Sequence, residues 1–202
     1  MQFQQGILVL RRDIHKFVGR EKDSIHTCVV CGYGLSYKSI KSGKDYIGYI
    51  HNHHLQNMSI TRFKEAQERF GEYETALEEI RQGRKRSHWI WYIFPQLKGL
   101  GRSYNSEYYG IASLEEAKEY LGDAVLRGRL LEISKALMEH KEEDIHSIMG
   151  GIDAQKLRSS MTLFESAAGD DDGCKVFGEI LDTFFDGKRD GRTLGMLKAQ
   201  EK

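Results

Sequence analysis

The chain has 202 residues, which is enough for one full domain and a small additional module, because domains commonly contain about 100–150 residues. Its 30 basic and 30 acidic side chains cancel, so the bulk charge gives no argument for a nucleic-acid or membrane partner. No stretch approaches the roughly 18 consecutive apolar residues that a membrane span needs, and the first residues lack the apolar core of a secretory signal. We therefore expect a cytoplasmic protein with no membrane partner.

The first 58 residues carry the pattern of a small metal-binding unit. A C-x-x-C-G sequence places Cys28 and Cys31 at a spacing that supplies half of a zinc site. An alternating apolar run at residues 46–51 predicts a strand just before a pair of histidines. Four histidines are the further candidate ligands: His26, His51, His53 and His54. None of them has the second paired spacing of a complete zinc site.

The order C-V-V-C-G-Y, Y-I-G-Y-I-H and N-H-H-L over residues 6–58 resembles the first half of a restriction-type HNH endonuclease. The resemblance implies that His53 binds a divalent metal and that His54 is the general base that activates water. The second zinc-ligand pair and the further metal-binding histidine of that family are absent from this chain. Three interpretations stay open: a truncated HNH remnant, a minimal zinc knuckle used for contact, and a working nuclease.

A helical region is predicted from about residue 59. Thr61 is a helix cap, and apolar residues between Phe63 and Ile80 recur at spacings of three and four, which predicts one helix that ends at Gly83. Similar patterns predict helices at about residues 113–120, 123–140, 153–168, 174–185 and 193–197. The opposite face of the first helix is charged and expected to be solvated; it carries Glu65, Glu68, Glu72 and Glu79.

Residues 84–103, RKRSHWIWYIFPQLKGLGRS, combine a basic cluster, an aromatic block and the only proline of the chain. One interpretation is a buried aromatic helix that ends at Pro95, with solvated charges before it. The other is an anion site, in which the basic side chains meet a phosphate or nucleotide while an aromatic ring stacks on its base. The two interpretations are compatible.

A second distinctive block, KLRSSMTLF, occupies residues 156–164. Its apolar positions fall on one helix face, which leaves Lys156, Arg158 and several hydroxyl groups free to meet an anion together with the first block. Alternatively, Ser159 and Ser160 bond to local backbone carbonyls and the cations lie on the surface. No nucleophile elbow surrounds Ser160, so we do not interpret it as a nucleophile.

Together the two blocks closely resemble the domain of unknown function 1810 family, over residues 62–197. That resemblance implies a compact all-α domain and no particular reaction. We therefore predict a mainly α protein, with a multihelical all-α domain of six or seven helices at residues 59–202 and a small N-terminal ββ zinc-knuckle-like HNH fragment at residues 1–58.

The predicted function is binding of an anionic small molecule or nucleotide in a concave site. The predicted ligand-binding residues are Arg84, Arg86, His88, Trp89, Trp91, Gln96, Arg102, Lys156, Arg158 and Ser160. The alternative is a metal-dependent nuclease that acts on nucleic acid through His54, with the helical domain for targeting. Its cofactor would be zinc or another divalent metal held by Cys28, Cys31 and His53.

Overall fold

A computed structural model describes residues 60–200 and the backbone of two short strands in the N-terminal segment. Strand β1 (His26–Thr27) pairs antiparallel with β2 (Gly34–Leu35). The chain divides into two compact units, Met1–Leu55 and Gln56–Lys202. The predicted metal and catalytic residues lie outside the described residues, so their roles stay predictions; they are Cys28, Cys31, His53 and His54.

The described part of the second unit is mainly helical, as predicted. Its helices are α1 (60–68), α2 (Glu72–Arg81), α3 (Ile90–Ile93), α4 (Tyr104–Tyr108), α5 (Leu114–Gly122), α6 (Ala124–Met138), α7 (Ile145–Met149), α8 (Gly151–Ala168), α9 (Val176–Phe184) and α10 (Gly191–Gln200). Three of these, α3, α4 and α7, are single turns of four or five residues. Single turns such as α4 and α7 carry too little periodicity to register in a sequence pattern, whereas α3 lies in the block for which a buried aromatic helix ending at Pro95 was one interpretation. Within residues 60–200 no helix is long and apolar enough to cross a membrane.

Helix α8 is the centre of the helical unit. It packs against α3, α5, α7, α9 and α10. Leu157, Met161 and Phe164 are fully buried on one of its faces, as the spacing predicts. Because neighbouring helices cover α8 on several sides, only part of its surface is open to solvent.

The helix predicted from Thr61 to Ile80 is interrupted, so that prediction is wrong at Phe70. Phe70 and Gly71 have φ angles of 53° and 70°, which place both residues in the left-handed region, and the chain makes one 3-10 turn before α2. The phenyl ring of Phe70 is 95% exposed instead of joining the core. The only sequence signal for the break is the glycine, since glycine adopts positive φ without steric cost.

Glu79 was expected on a solvated face, but the structure buries it. Its carboxylate accepts hydrogen bonds from the backbone N–H groups of Arg86 and Ser87, from the Ser87 hydroxyl and from the Trp89 indole, at 2.6–3.1 Å. Burial alone would raise the pKa of Glu79, but these hydrogen bonds lower it below its ordinary value. The buried carboxylate therefore holds the first half of the basic and aromatic block in place.

The segment after α3 is fixed by pairing with residues that precede α5. Pro95 follows α3, and Leu97 then forms a parallel bridge with Ile111. The Ile111 N–H donates to the Gln96 carbonyl at 2.9 Å, and the Lys98 N–H donates to the Ile111 carbonyl at 2.8 Å. This pairing sets the position of Gln96 and of the loop that leads to α4.

Candidate functional site

A groove of about 480 Å³ opens between the α3–α4 segment, one face of α8 and the start of α10. The α3–α4 segment contributes Trp91, Gln96 and Arg102. Gly101 lies between them, and a Cβ atom there would come within 2.5 Å of the Ser106 hydroxyl oxygen. Glycine at this position therefore lets the loop approach α4 closely, and this loop forms one wall of the groove.

One face of α8 forms a second wall, where the exposed Ile152, the half-buried Lys156 and the buried Ser159 recur at helical spacing. The Lys156 ammonium group binds Asp153 at 2.7 Å and lies 4.7 Å from the centre of the Trp91 ring. The Lys85 ammonium group binds the other carboxylate oxygen of Asp153 at 2.8 Å. These contacts join the two distinctive sequence blocks, which are more than 50 residues apart.

Asp153 is ionised at neutral pH in this arrangement. Burial works to raise the pKa of its carboxyl group, but the hydrogen bonds and charges of Lys156 and Lys85 lower it below the ordinary value. The two lysines are thus largely neutralised by one carboxylate. They contribute less to the electric field of the groove than an unpaired cation would.

The third wall contains two residues that were not predicted, Asp190 and Arg192. Asp190 precedes α10, and its carboxylate accepts hydrogen bonds from the Thr193 N–H at 2.8 Å and the Thr193 hydroxyl at 2.7 Å. Its remaining oxygen lies 3.5 Å from the Arg158 guanidinium. Burial acts to raise the pKa of Asp190, while the bonds from Thr193 and the charge of Arg158 lower it overall. The D-G-R-T sequence is the signal that identifies this cap.

Two arginines of the groove have no anionic partner among residues 60–200. Arg102 makes neither an ion pair nor a hydrogen bond with that part of the chain. Within the same residues, the Arg192 side chain donates one hydrogen bond, to the Leu100 carbonyl oxygen at 3.5 Å. Because Leu100 is two residues from Arg102, the side chain of Arg192 approaches the loop that carries Arg102. The groove therefore has, on adjoining walls, two guanidinium groups that no carboxylate of residues 60–200 neutralises.

The structure brings half of the predicted ligand-binding residues together, and the other half lie elsewhere. The groove contains Trp91, Gln96, Arg102, Lys156 and Arg158. Outside its lining are Arg84, Arg86, His88, Trp89 and Ser160.

The reasons for this division are local. Trp89 has no exposed surface, and its indole N–H donates to Glu79 at 2.8 Å, so it is a core residue. Arg84, Arg86 and His88 are exposed on the turn around Glu79. The Ser160 hydroxyl is fully buried without a hydrogen-bond partner in the described chain, so a substrate cannot reach it as a nucleophile.

The chemistry of the groove suits binding of an anion. In the part of the chain that the structure describes, no group of three or more His, Cys, Asp or Glu side chains is placed to hold a metal ion. Four cationic side chains line the groove against one carboxylate, which is itself engaged by Thr193 and Arg158. The predicted stacking face is not open, because the Lys156 ammonium lies over the Trp91 ring.

Comparison with known proteins finds relatives of the helical unit. The model of a family described as a protein of unknown function (DUF1810) matches residues 57–197. Among solved structures, the chain is similar to the conserved hypothetical protein Rv1873 from Mycobacterium tuberculosis, with 42% identity and a TM-score of 0.64. The similarity covers 69% of this chain and 96% of that one. No curated protein matches the chain.

Proposed function

Because the chain belongs to the DUF1810 family of proteins of unknown function, as its two blocks predicted, its role has to be argued from its site, and we propose that the groove binds an anionic small molecule. The main support for this proposal is that Arg102 and Arg192 have no carboxylate partner within residues 60–200. The N-terminal nuclease alternative rests on residues outside the described ones.

The distribution of charge supports an anionic ligand over a neutral one. The chain as a whole has a formal net charge of zero, yet the groove collects four cations and one carboxylate. Asp153 and Asp190 pair with Lys156 and Arg158, which leaves Arg102 and Arg192 as the cations of the groove without a carboxylate partner within residues 60–200. Each guanidinium presents a planar fork of donors that matches a phosphate or carboxylate group.

The size of the groove supports a small ligand. Its volume of about 480 Å³ lies in the range of about 300–1,000 Å³ that small-molecule sites commonly have. The buried side chains of Gln96 and Asp190 add polar groups to a surface that also contains Leu100 and Ile152. A few convergent polar groups on such a surface are typical of a binding site.

The test is isothermal titration of the full chain with ribose 5-phosphate and inorganic pyrophosphate. We expect Arg102→Gln and Arg192→Gln each to raise Kd about tenfold, because each removes a charge-assisted hydrogen bond. Arg84→Gln is the matched control, since Arg84 is exposed and lies outside the groove, and its Kd should stay within about twofold. Absence of binding by the wild-type chain, or an equal loss in Arg84→Gln, would refute the proposal.

A further inference from the structure

Gln96 is a buried amide at the groove whose hydrogen-bonding groups are unused. The residue is 7% exposed, and its backbone is fixed by the bond from Ile111. Its side chain forms no hydrogen bond with any group of the described chain, although it belongs to the lining of the groove. Its polar atoms are therefore available to water or to a ligand in the groove.

The other buried glutamine within residues 60–200 shows how such an amide is paired in this core. Gln67 donates from Nε2 to the Tyr92 carbonyl at 2.8 Å and to the Tyr120 hydroxyl at 3.1 Å, and its oxygen accepts from Arg129 at 3.3 Å. Buried amides normally have such partners, because an unsatisfied donor or acceptor costs about 1–3 kcal/mol. Gln96 departs from that pattern at the point where the groove is open.

The neighbouring loop keeps the amide of Gln96 uncovered. A Cβ atom at Gly101 would lie 3.5 Å from the Gln96 nitrogen and would also collide with Ser106. Glycine at this position removes the side chain that would otherwise stand against the amide. The same loop continues directly into Arg102, so an anionic group and a hydrogen-bonding group of one ligand can be held by consecutive parts of one wall.

We propose that the ligand is a nucleoside monophosphate, an inference that rests on the proposed anion site. The Gln96 amide forms hydrogen bonds with the edge of its base, and Arg102 and Arg192 bind its phosphate. A glutamine side chain presents one donor and one acceptor in a plane, which complements the donor and acceptor pair on the edge of a nucleobase. The ring of Trp91 lies beneath Lys156, so the base is read along its edge without stacking on that ring. Gln96 is thus the specificity-determining residue of the groove.

The experiment titrates the full chain with the adenine, guanine, cytosine and uracil ribonucleoside 5′-monophosphates and with ribose 5-phosphate. Ribose 5-phosphate keeps the phosphate and the sugar and lacks the base. We expect at least one nucleotide to bind the wild-type chain about tenfold more tightly than ribose 5-phosphate. In Gln96→Met, which keeps a similar length without the amide, that preference should disappear and the affinity for ribose 5-phosphate should stay within about twofold.

The thermal midpoint provides the control for folding. Gln96→Met breaks no internal hydrogen bond of the described chain, so the midpoint should not fall, whereas Gln67→Met loses three and should lower it. If every nucleotide binds no tighter than ribose 5-phosphate, or if the preference survives in Gln96→Met, base reading is wrong and the anion site stands. If neither ribose 5-phosphate nor any of the nucleotides binds, or if Arg102→Gln binds the tightest of them as well as the wild type, the proposed function fails.

Discussion

The carboxylate of Glu79 explains why so many polar and basic groups crowd into residues 84–88. Its oxygens accept from two backbone N–H groups, one hydroxyl and one indole, which closes the turn after α2 around a buried negative charge. Buried charges are tolerated when they are surrounded by donors in this way. Arg84 and Arg86 are therefore exposed residues of a structural turn, and this turn places the Trp89 side chain in the core.

We expect Glu79→Gln to lower the free energy of unfolding by about 2–3 kcal/mol, because an amide N–H₂ group would face the same donors and leave several of them unpaired. Urea denaturation at pH 7 measures the change. Glu74→Gln on the same helix removes the same charge from an exposed side chain and should change the stability by less than about 0.5 kcal/mol.

The same comparison has a defined pH dependence. The pKa of Glu79 is lower in the folded chain than its ordinary value of about 4.3. Its ionised form therefore stabilises the fold fully above that pH, and the contribution is lost as the pH falls through the folded pKa. The stability gap between wild type and Glu79→Gln should shrink below about pH 4, and a gap that widens there would contradict this account.

The helices show both what the sequence patterns predicted and where they failed. The amphipathic spacing predicted the buried face of α8, and Asp123 and Ser113 cap α6 and α5 by accepting backbone hydrogen bonds. The break at Phe70 was missed because its apolar side chain fits the helical period, while its direction depends on the φ angle. Periodicity reports which residues can share a face, and it does not report a local change in backbone conformation.

The close approach of the segments that flank α4 is sensitive to a single methyl group. At Gly110, a Cβ atom would lie 2.7 Å from the Lys98 Cα atom and 2.7 Å from the Ser106 carbonyl oxygen. We expect Gly110→Ala to lower the free energy of unfolding by about 1–3 kcal/mol, because the backbone on both sides would have to move.

Gly128 offers the matched control for that substitution. It lies inside α6, and a Cβ atom there would meet nothing within 4 Å. Gly128→Ala should raise the free energy of unfolding by about 0.5–1 kcal/mol, because alanine is the better helix former. Chemical denaturation of both variants measures the contrast, and equal effects at the two positions would contradict the close packing at Gly110.

The groove could be predicted only in part, because it is assembled from distant segments. The two blocks of the sequence contributed Trp91, Gln96 and Arg102 from one side and Lys156 and Arg158 from the other. Asp190 and Arg192 were missed, since their approach depends on the path of the chain through α9 into α10. A capping sequence predicts where such a helix begins, but it contains no information on which wall that beginning will face.

The hydrophobic core of the helical unit is formed by residues between 60 and 197 of the described chain. The similar protein from Mycobacterium tuberculosis is covered over 96% of its length by the matching part of this chain. We therefore expect a fragment of residues 56–202 to unfold with a thermal midpoint within about 2 °C of that of the full chain. Differential scanning calorimetry measures both, and a midpoint lower by about 5 °C or more would contradict the independence of this unit.

The contrast between the two tryptophans, which are the only ones in the chain, has a spectroscopic consequence. The indole of Trp89 is enclosed and bonded to a carboxylate, whereas that of Trp91 is half-buried at the groove beneath an ammonium group. Indole fluorescence responds to polarity and to nearby charge, so the two emitters report different events. We expect the emission of Trp91 to change when the groove is occupied and that of Trp89 to change when the core opens.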